Sequence, residues 1–109
     1  MNDLSILNKG IKLKVLSIIR FRPKAGRMEE VIDELKAHNE KCRKKFGQQR
    51  FLSQIDEELY LIKISPSIEE IRDDQDISLV HLDTIRHLLE AWSIEEGHTR
   101  ATSGMLIDE

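Results

Sequence analysis

Two histidines, one cysteine and a few hydroxyl and guanidinium groups are the side chains in this sequence with the means to do chemistry. His38 stands one helical turn before Cys42, and His81 falls on a second apolar stripe further along. Imidazole is the side chain best placed to move protons near neutral pH, so His81 and His38 are the candidate catalytic bases. The competing reading of each is a buried histidine satisfied by a backbone carbonyl or a serine. Cys42 becomes a nucleophile if His38 activates it. Against that stands the common i, i+4 spacing and the habit of buried cysteine to act as a small hydrophobe. Two imidazoles fall short of the three or four convergent ligands a metal needs, and no carboxylate is read on either apolar stripe, so no metal and no cofactor are expected. Arg20, Arg22 and Arg100 can grip a carboxylate with a two-pronged guanidinium, or serve as solvated ion pairs.

These groups need elements to hold them. Residues 12–22, rich in β-branched types and stopped by Pro23, read as a first strand with apolar residues on both faces. Met28, Val31, Ile32, Leu35, His38, Cys42 and Phe46 recur at helical spacing, with Glu29 and Glu30 opening the helix, basic residues closing it and Gly47 stopping it. Residues 50–55 and 58–64 form a hairpin across Asp56-Glu57. Ser67 and Glu70 resemble a capping box for a short helix through Ile71, and Asp76 starts another. From Ile77 the stripe Val80, His81, Thr84, Ile85, Leu88, Leu89, Trp92 predicts the main second helix, which Gly97 breaks. Residues 98–107 then read as a fourth strand of small side chains. Residues 1–11 are an N-terminal extension in which 3–9 either add a strand or fray, and 12–109 form a single domain.

At 109 residues, with 39% hydrophobic and 34% charged side chains, the composition suits one globular domain. No apolar run reaches about 18 residues and the start lacks a secretory pattern, so a cytoplasmic protein that does not enter a membrane is expected. A single cysteine fits a reducing compartment. Thirteen of the seventeen Lys/Arg precede residue 51, while fourteen of the twenty Asp/Glu follow residue 50. Interleaved with apolar residues, these charges predict differently charged faces of a folded domain. RNA-recognition modules share the element order but need stacking aromatics on the third strand, where this chain has Leu-Tyr-Leu-Ile-Lys-Ile, so no nucleic-acid partner is expected.

The order strand, helix, strand, strand, helix, strand predicts a ferredoxin-like α+β fold, a four-stranded antiparallel sheet with both helices on one face. Helices cover one side of such a sheet, yet these strands are apolar on both. A homodimer packed sheet to sheet follows. The Val15–Phe21 strand, the run Arg-Pro-Lys-Ala-Gly-Arg-Met-Glu-Glu at residues 22–30 and the element order over 12–107 resemble the dimeric α+β barrel superfamily, in particular proteins related to antibiotic-biosynthesis monooxygenases. The resemblance implies a ligand cavity between sheet and helices in each subunit, and cofactor-free oxygenase or isomerase chemistry in some members. Where its oxygenases tend to carry a strand-end tryptophan and a first-strand asparagine, this chain has Ile64-Ser65-Pro66 and Ser17.

Small residues Ala101, Thr102, Ser103 and Gly104 beside Ser17 leave either close packing or a void. The pocket is expected to be lined by Ser17, Ile19, Leu35, Cys42, Tyr60, Ile85, Leu88, Trp92, Ala101 and Ser103, with Arg20 and Arg100 at its mouth. The leading expectation is a homodimeric protein that binds a small, elongated, acyl-chain-like apolar molecule, with an anionic head for those arginines. The alternatives are a cofactor-independent monooxygenase or isomerase using His81 or His38 as base, and a structural dimer with no ligand.

Overall fold

A computed structural model of the chain describes residues 13–108, so the N-terminal extension and the reading of residues 3–9 lie outside the described residues. Strand β1 (Val15–Phe21) buries Val15, Ser17 and Phe21 on one face and turns Leu16, Ile18 and Arg20 to the other. Helix α1 (Met28–Lys45) follows, with its acidic first turn and basic last turn opposing the ends of the helix dipole. It buries Val31, Leu35, His38, Asn39 and Cys42.

The hairpin is β2 (Gln49–Ile55) and β3 (Glu58–Ser65), turning through Asp56 at φ 55°, a backbone region that aspartate tolerates better than most residues. Strict alternation along β3 buries Leu59, Leu61, Lys63 and Ser65 and leaves Tyr60, Ile62 and Ile64 on the far face. Helix α2 (Ile68–Ile85) is capped by Ser67, whose side chain accepts the Glu70 amide at 3.4 Å. Strand β4 (Thr99–Met105) closes the chain.

The strands run in the order β2-β3-β1-β4, with every neighbouring pair antiparallel. With two helices, this is the ferredoxin-like α+β fold expected from the sequence. Val31 and Leu35 of α1 and Ile85 of α2 meet Phe21, Leu59 and Leu61 of the sheet, joined by Leu88 and Leu89. Each such side chain contributes roughly 1.5–3 kcal/mol by leaving water. No helix among the described residues is long and apolar enough to cross a membrane.

Two expectations about the second helix are corrected. It is one continuous helix from Ile68, not a short piece followed by a second start at Asp76. The buried stripe passes through Asp74, which is fully buried, so the line of apolar residues is interrupted while the helix is not. The helix also ends earlier than Trp92. A 3-10 turn at Arg86–Leu88 follows Ile85, and the backbone is drawn toward the β1 exit, where Lys24 donates to the Leu88 carbonyl at 2.8 Å and Glu90 to that of Arg22 at 2.7 Å. Leu88 and Leu89 stay in the core, whereas Trp92 leaves on a loop closed by the hydrogen bond its backbone N–H donates to the Gly97 carbonyl.

Candidate functional site

Antiparallel register puts one residue from each strand in line across the sheet. On the face toward the helices, Arg50 of β2 lies beside Lys63 of β3, Lys63 beside Ser17 of β1, and Ser17 beside Ser103 of β4. Two residues along, the matching row is Leu52, Leu61, Ile19 and Ala101. Rows on one face are roughly 6.5–7 Å apart. A polar band therefore runs directly alongside an apolar one.

A cavity of about 240 Å³ stands over both rows. Its floor is Ser17, Ile19, Phe21, Arg50, Leu61, Lys63, Ala101 and Ser103, and its roof is Leu35 and His38 of α1 with Ser78, His81, Leu82 and Ile85 of α2. Gln75 and Leu79 of α2, and Ala101 and Ser103 of β4, line it while exposed to solvent, which places its mouth between α2 and the edge strand. The Ser17 and Ser103 hydroxyls share a 2.8 Å hydrogen bond across the floor.

At the polar end, Asp74 hangs from α2 as the hub of a buried network. Its Oδ2 accepts Lys63 Nζ at 2.7 Å, Gln48 Nε2 at 3.1 Å and Arg50 Nη1 at 3.5 Å, and its Oδ1 accepts the Ser78 hydroxyl at 2.7 Å. Arg50 also donates from Nε to Asn39 Oδ1 at 2.8 Å and from Nη1 to Gln48 Oε1 at 2.7 Å. Burial alone would raise the Asp74 carboxyl, but the hydrogen bonds from Lys63 and Ser78, with the ammonium charge, hold it below its ordinary value. The carboxylate is ionised at neutral pH.

His38 and His81 stack in parallel over the cavity, with ring centroids 4.2 Å apart and an interplanar angle of 2°. Burial, with the nearby His81 and Arg50, pushes His38 down to about 4. The imidazole is neutral, and its neighbours set the tautomer. Ser78 spends its only proton on Asp74, and so does the Cys42 thiol, 3.9 Å from Oδ1, so His38 Nε2, 3.4 Å from both Ser78 Oγ and Cys42 Sγ, carries the hydrogen and donates. His81 is also lowered, first by burial, against the opposing pull of Glu34, whose carboxylate lies 3.6 Å from Nε2.

Cys42 is buried behind His38, and burial pushes its thiol up. A raised thiol beside a lowered imidazole is not an activated thiolate pair. His38, Cys42 and Asp74 hold one potential ligand atom each within 4.8 Å of the others, and the carboxylate that was not expected on an apolar stripe is Asp74. Lys63 and Arg50 already neutralise it, however, and a divalent ion would sit against both cations. The charges disfavour a cation here.

The cavity brings together Ser17, Ile19, Leu35, His38, His81, Ile85, Ala101 and Ser103 from the expected set. Cys42 stands one layer back, and Leu88 is packed into the core without reaching the cavity. Tyr60, Trp92, Arg20 and Arg100 are corrected in position. Arg20 and Tyr60 are register partners on the opposite sheet face, because odd residues of β1 and β3 point to the helices and even ones away. Trp92 is stacked there among Arg22, Arg100 and Arg20, at 3.8, 4.3 and 4.9 Å from its ring centroid.

Arg50, Lys63, Asp74, Gln48, Asn39 and Ser78 were not singled out from the sequence. One signal was available, since Lys63 follows Leu59 and Leu61 at two-residue spacing and so falls on their inward face. No protein-family model matches this chain, and no curated protein and no solved structure matches it.

Proposed function

We propose that this ferredoxin-like protein binds a small, elongated molecule with an apolar body and a polar head, one per subunit of a homodimer. The observation that carries the reading is the division of the cavity floor into an apolar row and a polar row side by side. Such a site orients an amphipathic ligand without catalytic machinery, because a few placed polar groups in an apolar pocket fix direction. A volume of 240 Å³ has room for about eight water-sized atoms at roughly 30 Å³ each, which suits a short acyl chain. The resemblance to antibiotic-biosynthesis-monooxygenase-like proteins fits the same reading of cavity and dimer.

Titration with hexan-1-ol, followed by amide chemical shifts, tests the reading. Saturable shifts at Ile19, Leu35 and Ala101, abolished by Ala101→Phe, are expected. Shifts that scatter over the surface, or none at all, would count against a binding cavity.

A second reading, proton transfer from the bound molecule to His81, is favoured by one arrangement. His81 faces the cavity while Glu34 stands behind its Nε2, the placement that orients an imidazole base. His38 is the poorer base of the two, since its value near 4 leaves little affinity for a proton. Turnover lost in His81→Gln and retained in His38→Gln would assign the role.

A further inference from the structure

We propose that the polar head is a single carboxylate, received by Lys63 and Arg50. This rests on the binding cavity argued above and adds the charge of its ligand. Both side chains line the cavity, and both residues are more than nine-tenths buried, Arg50 at 2% exposure and Lys63 at 6%. Cations so placed need compensation, because burying an unpaired charge is among the costliest arrangements in a protein. Among the described residues, one carboxylate serves both, that of Asp74. His38 is neutral, and Glu34 is half exposed and beside His81. Within this ion-paired cluster, two positive charges therefore stand against one negative.

The hydrogen-bond inventory agrees with the charge count. Lys63 Nζ has three protons and gives one to Asp74. Arg50 uses Nε and Nη1, while Nη2 makes no hydrogen bond among the described residues. Asp74, conversely, has both oxygens occupied, so a cationic head would find no open carboxylate oxygen on it and would meet two like charges. A neutral hydroxyl head would satisfy a donor but leave the charge unmatched. One negative charge with two acceptor oxygens fits what remains, and Ser17 is next to Lys63 in the same row. The apolar row beside it takes the chain.

The test compares three probes of equal chain length, hexanoate, hexan-1-ol and hexylamine, by calorimetry at neutral pH with the wild-type chain. Hexanoate at least tenfold tighter than hexan-1-ol, with hexylamine weakest, is expected. Lys63→Gln should erase the preference for the acid, bringing hexanoate down to the level of the alcohol on the same variant. Equal affinities for acid and alcohol would overturn the carboxylate assignment and leave the cavity reading standing. Binding of none of the three would overturn both. Should Lys63→Gln not fold, the order of the three probes on the wild type decides the matter alone.

Discussion

His38 makes stability depend on pH in a direction that can be worked out. Its folded value, about 4, lies below the ordinary 6.5, so between those limits the unfolded chain binds a proton that the folded chain refuses. Its contribution is present in full above pH 6.5, declines as pH falls through that window and is gone below about 4. The shift corresponds to about 3–4 kcal/mol at roughly 1.4 kcal/mol per unit. Urea unfolding at pH 7 and pH 4.5 should show a loss in the wild type that His38→Gln largely flattens. Asp74 acts in the same sense at lower pH, since its lowered carboxyl stabilises the fold above its unfolded value and ceases to do so as pH falls through the folded one. Replacing it tests the network itself. Asp74→Asn leaves Lys63 and Arg50 buried against an amide, and a cost of about 3–5 kcal/mol at pH 7 is expected from equilibrium unfolding. Asp74→Asn together with Lys63→Met should recover part of that loss, because the carboxylate and one of its two buried cations leave together.

Among the elements, β4 is the weakest. It is an edge strand bonded only to β1, and six of its seven residues are exposed. Its amides should exchange at least about tenfold faster than those of β3, which is held on both sides. A ligand in the cavity should slow β4 selectively, since Thr99, Ala101 and Ser103 line it. The same contrast explains what could be read from the chain and what could not. Helix α1 was legible because its stripe from Met28 to Phe46 is apolar at nearly every turn, with charges sorted to suit the dipole. Helix α2 was legible only at its ends, because Asp74 and Ser78 on its inward face replace carbon packing with a hydrogen-bonded network. No periodicity rule separates a buried carboxylate from a solvated one. Ser17 and Ser103 were placed together by topology alone. Arg50 and Lys63 escaped because a charge on a strand reads as solvent-facing until register sets it against a partner from another element. Tyr60, Arg20 and Arg100 were placed on the wrong side for the related reason that strands apolar on both faces do not declare which face the helices cover.

For the whole molecule, the proposed dimer rests on the face of the sheet away from the helices. Leu16 and Ile18 of β1, Ile62 and Ile64 of β3, and half-exposed Phe51 of β2 form its centre. At one end stand Tyr60, Arg20, Arg100 and Trp92, with Glu58 bonded to Arg20 at 2.8 Å. An apolar centre bordered by arginine and aromatic residues is the composition of a protein interface, and a second copy turned by a two-fold axis would match it with itself. Sedimentation equilibrium at micromolar concentration should therefore report a dimer. Ile62→Lys places two like charges near that axis and should shift the chain to monomer, while circular dichroism stays unchanged because Ile62 takes no part in the core under the helices. A wild-type monomer at those concentrations would remove the dimer from the proposal. The cavity is a separate question, since all its walls come from one chain on the other side of the sheet. The monomeric Ile62→Lys should thus bind hexan-1-ol as the wild type does. Loss of binding together with loss of the dimer would mean that sheet packing holds β1, β2 and β3 in the register that lines up Ser17, Lys63 and Arg50.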